Sequence, residues 1–209
     1  MEAVDLEKRR FVLATNNRGK AREIGLLFQA RGLEISSLAD LNLSFVPDET
    51  GGTFIANATQ KATETANFLK NSLYADCAVI ADDSGLIIDA LDGVLGVDSA
   101  LFMGAESPYQ ARMKRLIEMM ENVPTGKRSA RFVCVTVCVF PDGEMLTTSG
   151  EMHGEITFET RGDNGFGYDP IFYVPEFGKT SAELTSDEKN RVSHRGKAIK
   201  AMLDKLDAL

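Results

Sequence analysis

Two adjacent carboxylates, Asp82 and Asp83, follow the apolar run Cys77 to Ala81 and precede Ser84 and Gly85. This pattern predicts a buried strand that ends in an Asp-rich turn, with the carboxylates beyond the strand end, where α/β sheets place their ligands. Adjacent like charges repel, and a cation such as Mg²⁺ relieves that repulsion. One carboxylate could bind the metal and accept a proton from an attacking water. A purely structural Asp-rich turn is the alternative.

A second polar group, Thr15, Asn17 and Lys20, lies where the apolar run Phe11 to Thr15 gives way to helical spacing over Lys20 to Arg31. Backbone N–H groups at a helix N-terminus attract anions, and a nearby Lys adds positive charge. The segment is not a Walker A loop, because TNNRGKA lacks the leading Gly and the Ser or Thr after Lys. It indicates either a phosphate site or a capped helix with a solvated Lys.

Glu49 lies in the glycine-containing loop Pro47 to Gly52. Its carboxylate could complete a metal site, or it could be a solvated loop residue. The chain has only two histidines and its three cysteines lack CxxC spacing, so a site built from His and Cys is not expected. Any metal should therefore be held by carboxylates, which favours Mg²⁺, with Mn²⁺ also possible.

The segment Gly165 to Pro170 places Phe166 between two glycines and is followed by Tyr168 and Asp169. Glycines permit close backbone approach, and an aromatic ring can stack on a planar base. Asp169 could accept hydrogen bonds from a base edge or anchor the loop. A structural turn that packs both rings into the core is the competing interpretation.

Three cations, Lys189, His194 and Arg195, lie close together before and within the predicted last helix. Their side chains offer directed donors to carbonyl-like acceptors on a base. The dipole at a helix N-terminus disfavours such a basic turn unless an anion or an electron-rich ligand binds there. With the phosphate and metal signals, this group predicts that the ligand is a nucleotide.

The positioning elements follow from periodicity, caps and turn residues. The predicted strands are Phe11 to Thr15, Glu34 to Leu38, Cys77 to Ala81, Arg131 to Phe140 and Met145 to Glu151, and the predicted helices are Lys20 to Arg31, Ala56 to Leu69, Ser107 to Met120 and Ser193 to Leu206. The strand Arg131 to Phe140 is apolar on both faces and should be central, with Met145 to Glu151 returning antiparallel. Helix–strand alternation followed by a hairpin predicts a mixed-sheet α/β fold.

Composition narrows the functional class. The 209 residues carry a net charge of −8 and are 44% hydrophobic, which favours one compact domain over residues 1–209. An acidic chain has no general basic footprint for long nucleic acid. The N-terminus MEAVDLEKRR lacks an apolar signal region and no run approaches a membrane span, so a soluble cytoplasmic protein without membrane contacts is expected. The cysteines are expected to be buried free thiols.

Five blocks in this order resemble the inosine triphosphate pyrophosphatase family, whose members hydrolyse noncanonical purine nucleoside triphosphates such as ITP, dITP and XTP. The resemblance extends from about Phe11 to Met202. The blocks are Thr15-x-Asn17-x-x-Lys20-x-x-Glu23; Glu49-Thr50-Gly51-x-Thr53-Phe54 with Asn57-Ala58 and Lys61; Ala81-Asp82-Asp83-Ser84-Gly85-Leu86; Gly165-Phe166-Gly167-Tyr168-Asp169-Pro170-Ile171-Phe172; and Lys189 with Ser193-His194-Arg195.

The resemblance implies an elongated mixed β-sheet flanked by helices, with two lobes and a cleft between them. It implies Mg²⁺-dependent release of the nucleoside monophosphate and pyrophosphate, by a homodimer. Phosphates would be held by Thr15, Asn17, Lys20 and Lys61, and the metal by Glu49 and Asp83. Asp83 would also activate water, with Lys20 and Lys61 contributing to catalysis and Ser84 touching the substrate. The base pocket would comprise Phe166, Gly167, Tyr168, Asp169, Lys189, His194 and Arg195.

The chain departs from the family pattern at several positions. Ala56 replaces a usual Glu, Leu95 a usual Pro and Leu101 a usual Arg, and Asp98 adds a charge. Two alternatives therefore stay open: a related nucleotide pyrophosphatase with another base preference, and a nucleotide-binding protein with impaired turnover. Nucleic-acid binding through the basic C-terminal segment is a third possibility, which the net charge disfavours.

Overall fold

The computed structural model describes residues 10–209; the segment MEAVDLEKRR, in which no apolar signal region was expected, lies outside the described residues except for Arg10. Within them, the chain forms seven strands and five α-helices. The strands are β1 Phe11–Leu13, β2 Ile35–Ser37, β3 Ala78–Ile88, β4 Ser129–Val139, β5 Met145–Ile156, β6 Phe172–Val174 and β7 Lys179–Thr180, and the helices are α1 Arg18–Gln29, α2 Phe54–Leu69, α3 Tyr109–Met119, α4 Ser186–Val192 and α5 His194–Asp207. No described helix is long and apolar enough to cross a membrane.

The strands form one mixed sheet in the order β2-β1-β3-β4-β5-β6-β7, which confirms the predicted α/β class. Strand β1 pairs in parallel with β2 and β3, whereas β6 pairs antiparallel with β5 and β7. The predicted central position of β4 is confirmed. A turn at 140–144 connects β4 to its neighbour β5, closed by hydrogen bonds between the backbones of Phe140 and Glu144 and of Gly143 and Phe140.

The chain divides into two compact units. The first comprises the described residues up to Asp83, together with Cys134–Gly150 and Arg195–Leu209, and the second comprises Ser84–Val133 and Glu151–His194. Strand β3 contributes its first part, through Asp83, to the first unit and the rest to the second.

Alternation along the strands divides the core of the first unit into two layers. Ala78 and Ile80 of β3 pack with residues of α1 and α5, whereas Val79 and Ala81 pack with residues of α2. Successive side chains of a strand point to opposite faces of the sheet, so this division is the expected one. The same alternation continues along β3, so that Asp82 and Asp83 face opposite sides of the sheet.

The core of the second unit gathers side chains from α3, the later part of β3, β4, β5 and β6. In α3 and at its end, Met113, Leu116 and Met120 are buried there and Ile117 packs against them. Arg128 is also buried, and its guanidinium donates to the carbonyls of Met120, Val123, Ile156 and Thr157. The cation is thus satisfied by backbone carbonyls from two segments, 120–123 and 156–157.

The predicted turn at Ala81 to Leu86 is wrong, because β3 runs without interruption from Ala78 to Ile88. Asp82 and Asp83 lie in mid-strand and are only 2% and 4% exposed. A strand tolerates buried carboxylates only when charges and hydrogen bonds compensate them, and cations on other elements do so here. That compensation could not be read from the local sequence.

The predicted start of α3 and the predicted grouping of three cations at one helix end also need correction. Helix α3 begins after Pro108, which is the N-cap residue; the Ser107 hydroxyl instead donates to the carbonyl of Met103. The three C-terminal cations do not share one helix N-terminus. Lys189 belongs to the separate helix α4, which a Thr185–Glu188 capping box starts, and His194 and Arg195 open α5.

Candidate active site

The predicted strand, turn and helix around Thr15 to Lys20 are confirmed. Asn17 caps α1, its side-chain oxygen accepting a hydrogen bond from the backbone N–H of Lys20 at 3.1 Å. The Thr15 hydroxyl accepts one from the N–H of Asn17 at 3.2 Å. The structure thus brings Thr15, Asn17 and Lys20 together at the N-terminus of a twelve-residue helix, where the dipole favours an anion.

Asp83 faces α2, on the same side of β3 as Val79 and Ala81. Its Oδ1 is 3.0 Å from Lys61 Nζ, and its Oδ2 accepts a hydrogen bond from the Asn57 side chain at 3.2 Å. Lys61 Nζ is also 2.9 Å from Glu49 Oε1. One buried ammonium therefore holds the two carboxylates that the resemblance assigned to the metal.

The charges of this group can be assigned from its surroundings. Burial by itself lowers the pKa of Lys61, but the carboxylates of Asp83, Asp82 and Glu49 raise it above its usual value, so the ammonium is charged at neutral pH. Burial raises the pKa of Asp83, against the opposing effect of Lys61 and Lys20. Asp83 thus takes up a proton more readily than an exposed Asp.

Asp82 faces the opposite side of β3, toward α1 and α5. Its Oδ2 is 3.1 Å from Lys20 Nζ and 3.3 Å from Arg195 Nε. Arg195 Nη1 also lies 2.6 Å from Glu23 Oε2. Although burial alone would raise it, the pKa of Asp82 is held far below its usual range by Lys20, Arg195 and Lys61. Asp82 is therefore a fixed anion that joins α1 and α5 to β3.

In the second unit, Asp169 anchors the loop that contains Phe166 and Gly167. Its Oδ2 accepts hydrogen bonds from the backbone N–H of Phe166 at 2.9 Å and from Lys189 Nζ at 2.6 Å, and its Oδ1 accepts one from the Ser181 hydroxyl at 2.8 Å. The Lys189 ammonium also lies 5.2 Å from the centre of the Phe166 ring. Of the two predicted roles for Asp169, loop anchoring is the one these contacts display.

Gly165 of this loop has a positive φ of 75° and approaches the Asp169–Lys189 pair closely. A Cβ placed there would lie 2.1 Å from Asp169 Oδ2 and 3.0 Å from Lys189 Nζ. Only glycine meets both the conformational and the steric requirement. These two requirements explain why a glycine directly precedes Phe166 in the sequence.

Tyr168 is buried, and its hydroxyl donates to the carbonyl of Ser99 at 2.7 Å. Burial raises its pKa to about 12, so the hydroxyl stays protonated. Tyr109, at the start of α3, packs edge-on against Tyr168 with ring centres 5.1 Å apart.

The buried Arg112 guanidinium covers the Tyr109 ring and donates to the carbonyls of Ala100, Gly104 and Ala105. Arg112 thus fixes the segment in which Leu101 replaces the usual Arg.

His194 is 5% exposed and its ring stacks on Phe132, with centres 4.8 Å apart and an interplanar angle of 13°. It belongs to the second unit, whereas Arg195 belongs to the first. Ser84, the first residue of the second unit, is half-buried in β3.

The predicted residues therefore fall into two groups, defined by the unit that carries them. The first-unit group is Thr15, Asn17, Lys20, Glu49, Lys61, Asp83 and Arg195, and the second-unit group is Ser84, Phe166, Gly167, Tyr168, Asp169, Lys189 and His194.

Two residues of the site had no predicted role: Asn57, which bonds Asp83, and Glu23, which pairs with Arg195. A buried Asn on the apolar face of α2 was the signal that could have found the first. Lys20 and Glu23, three residues apart on one helix face, were the signal for the second.

The donor set suits a hard divalent cation with few protein ligands. Among residues 10–209, no three His, Cys, Asp or Glu side chains are grouped as a metal site. Glu49 and Asp83 supply two carboxylates directed at one cation. Mg²⁺ is commonly held by one or two carboxylates, with water and phosphate oxygens completing its octahedron, so these residues fit it. All three cysteines are buried free thiols, as predicted.

Known proteins share this sequence and fold over nearly its full length. The sequence profile of the Ham1 family matches residues 11–205. A Bacillus cereus protein named dITP/XTP pyrophosphatase is 45% identical over 197 residues, which cover 93% of each chain. A Clostridium perfringens protein of the same name is 40% identical over 201 residues, covering 96% of this chain and 98% of that protein.

Solved structures agree with the sequence matches. The Staphylococcus aureus Ham1 protein is 38% identical with a TM-score of 0.80, and the match covers 96% of this chain and 99% of that one. A HAM1 protein from Coxiella burnetii is 36% identical with a TM-score of 0.81, covering 96% of this chain and 100% of that one. The resemblance predicted from the five motif blocks is confirmed: the chain belongs to the Ham1 family.

Proposed function

We propose that this chain hydrolyses noncanonical purine nucleoside triphosphates, namely ITP, dITP and XTP, to the monophosphate and pyrophosphate. The observation that carries the proposal is Asp83 on β3, held between Lys61 and Asn57 and sharing Lys61 with Glu49. The names of the relatives, dITP/XTP pyrophosphatase, support the substrate class. The reaction would keep these nucleotides out of DNA and RNA.

At the phosphate end, Thr15, Asn17 and Lys20 would bind phosphate oxygens at the N-terminus of α1, and Lys61 would add a second ammonium. Glu49 and Asp83 would hold Mg²⁺, or Mn²⁺ in its place. The bound metal would offset phosphate charge and polarise phosphoryl oxygens. Asp83 would also orient the attacking water and accept its proton, which suits a carboxyl whose pKa is raised by burial.

At the base end, the proposed contacts are Phe166, Gly167, Tyr168, Asp169, Lys189, His194 and Arg195, with Ser84 touching the substrate beside Asp83. A 6-keto purine presents an acceptor where adenine presents an amino donor. A pocket rich in donors therefore leaves adenine with unpaired groups and penalises it. Asp169 would act by holding Phe166 and Lys189 in place.

The remaining features of the proposal concern the whole protein. Residues 1–209 would form a single two-lobed pyrophosphatase domain that acts as a homodimer in the cytoplasm, with small nucleotides rather than long nucleic acids or membranes as partners. Light scattering during gel filtration tests the oligomer: the proposal expects twice the chain mass of 22.8 kDa, and the mass of one chain would contradict it.

The decisive experiment measures pyrophosphate and orthophosphate release from ITP, XTP, dITP, ATP and GTP, with Mg²⁺ and with a chelator. The proposal expects pyrophosphate from ITP, XTP and dITP, little turnover of ATP, and loss of activity in the chelator. Equal turnover of ATP would favour a pyrophosphatase with another base preference. Tight ITP binding without turnover would favour a nucleotide-binding protein with impaired catalysis.

His194→Ala tests the base end separately, because His194 makes no proposed phosphate contact. We expect it to reduce the preference for ITP over ATP while leaving metal dependence intact. Unchanged selectivity would remove His194 from the base pocket.

A further inference from the structure

Lys61 lies between the two carboxylates proposed as metal ligands. Its Nζ is 2.9 Å from Glu49 Oε1 and 3.0 Å from Asp83 Oδ1. The Lys61 and Asp83 side chains are each 5% exposed, whereas that of Glu49 is 55% exposed. The Lys61 ammonium therefore neutralises the enclosed carboxylate of Asp83 and holds the exposed carboxylate of Glu49 beside it.

The other two cations of the first-unit group form ion pairs with other carboxylates. Lys20 and Arg195 contact Asp82, whose side chain points to the opposite face of β3. Among the described residues, Lys61 is thus the cation that forms ion pairs with Glu49 and Asp83. Its removal would leave that carboxylate pair without its own counter-charge.

A divalent metal and this ammonium compete for the same oxygens. A metal bound to both carboxylates at about 2.1 Å would lie between them, where the Lys61 ammonium now lies. Two cations placed on one carboxylate pair also repel each other strongly in a partly buried site. The ammonium must therefore leave at least one carboxylate when the metal binds there.

We propose that Lys61 is a resident counter-cation that the metal displaces, so that metal and nucleotide bind cooperatively. This inference rests on the proposed function, since it takes Glu49 and Asp83 as the metal ligands and the nucleotide phosphates as the new partner of Lys61. With no nucleotide present, the displaced Lys61 ammonium loses its ion pairs with the carboxylates and gains none with a phosphate. With nucleotide bound, the ammonium forms new ion pairs with the phosphates.

Two consequences follow. In the free protein, Lys61 weakens metal binding, so replacing it with an uncharged residue strengthens that binding. In the native chain, nucleotide and metal raise each other's affinity by the same factor, because linkage is reciprocal. In a variant that lacks the Lys61 charge, the part of this coupling between nucleotide and metal that depends on the ammonium is lost.

The test measures Mn²⁺ binding to the full chain by the loss of the free Mn²⁺ EPR signal, without nucleotide. We expect Lys61→Met to bind Mn²⁺ about tenfold more tightly than the native chain, since about 1.4 kcal/mol of removed competition gives this factor. Lys20→Met is the matched control, because it removes an equal charge whose ion pair is with Asp82 on the other face of β3; since Lys20 acts on Asp83 only at a distance, we expect a smaller change there than in Lys61→Met.

Repeating the titration with the α,β-methylene analogue of ITP, which resists cleavage at the bond between the α- and β-phosphates, measures the coupling. The analogue should tighten Mn²⁺ binding more in the native chain than in Lys61→Met. Lys61→Gln, which keeps a polar side chain of similar length, guards against a folding defect in Lys61→Met and should show the same direction of change.

Mn²⁺ binding by folded Lys61→Met and Lys61→Gln that is equal to or weaker than that of the native chain would overturn the proposal, as would failure of both variants to bind Mn²⁺. Pyrophosphate release by the native chain separates this result from failure of the proposed function. Tighter Mn²⁺ binding in the variants without native turnover would uphold the displacement and refute the activity. Native turnover without tighter binding would do the reverse.

Discussion

Asp82 and Asp83 are neighbours in the chain, but their carboxyl groups have different electrostatic surroundings. Burial tends to raise both pKa values; around Asp82 the charges of Lys20, Arg195 and Lys61 outweigh it, whereas around Asp83 burial prevails over Lys61 and Lys20. Asp82 therefore stays ionised and structural. Asp83 is the better proton acceptor of the two.

The first prediction at this scale concerns catalysis. Asp83→Asn removes both the proposed proton acceptor and a proposed anionic metal ligand, so we expect the kcat for pyrophosphate release from ITP to fall by at least about a hundredfold. Asp48→Asn, in the exposed loop beside Glu49, is the control and should keep native activity. The measurement is a coupled pyrophosphate assay, and a kcat within about threefold of the native value for Asp83→Asn would exclude Asp83 as the base.

The second prediction concerns stability and pH. Asp82→Asn removes the buried counter-ion of Lys20 and one of the two carboxylates that pair with Arg195, so we expect the free energy of unfolding at pH 7 to fall by about 3 kcal/mol. The pKa of Asp82 is lowered in the folded chain, so the native advantage exists above the unfolded pKa of about 3.9 and is lost as the pH falls below it. The difference should shrink by roughly 1 kcal/mol per pH unit below about pH 4.

Urea unfolding at pH 7 and at successively lower pH checks this expectation. Asp76→Asn is the control, because Asp76 pairs with Arg10 at an exposed position. It should have little effect at any pH. A difference between Asp82→Asn and the native chain that stays constant down to pH 2 would show that Asp82 lacks the predicted electrostatic role.

At the scale of elements, β3 is the strand that positions the site, and Gly85 lets it pass close to another segment of the second unit. A Cβ at Gly85 would lie 2.0 Å from the carbonyl oxygen of Gly96 and 2.8 Å from Ser99 Oγ. The Ser99 hydroxyl also accepts a hydrogen bond from the N–H of Leu86 at 2.9 Å. The requirement for glycine here is steric, not conformational, since only the close approach forbids a side chain.

The prediction for this element is that Gly85→Ala lowers the free energy of unfolding by about 2 kcal/mol, through the shift that overpacking forces on the backbone. Gly25→Ala is the matched control: a Cβ there meets no heavy atom within 4 Å on helix α1, so we expect stabilisation of up to about 1 kcal/mol. Urea denaturation measures both. Equal effects of the two substitutions would refute the close contact at Gly85.

Elements with a strong local pattern were predictable. Helices α1 and α2 and strands β4 and β5 lie where hydrophobic periodicity and turn residues placed them, within a few residues at each end. Strand β3 was interrupted in the prediction because Asp-Asp-Ser-Gly is a turn-like sequence. Its charges are accepted in a strand only because Lys20, Lys61 and Arg195 arrive from three different helices.

At the scale of the whole molecule, the net charge of −8 and the pairing of the site cations govern which partners can bind. Lys20, Lys61 and Arg195 each contact a carboxylate, so they do not form an open basic surface. Under the proposed function, a small nucleotide and a metal would exchange these pairs one at a time. A long polyanion needs many cations at once.

We therefore expect no measurable binding to a 30-base-pair DNA duplex or to tRNA at about 50 mM KCl, a salt concentration at which phosphate contacts are strong. Fluorescence anisotropy of labelled nucleic acid is the measurement. Binding that weakens steeply as salt increases would contradict the expectation and indicate a basic surface that the net charge conceals.

The amino-acid sequence by itself determined the α/β class, most of the helices and the family to which the chain belongs, because periodicity and ordered motifs are local properties of the chain. Only the tertiary structure decided the pairing: Asp83 faces Lys61 and Glu49, whereas Asp82 faces Lys20 and Arg195. The physical reason is the alternation of side chains along β3, which became decisive once these carboxylates lay within the strand rather than beyond its end.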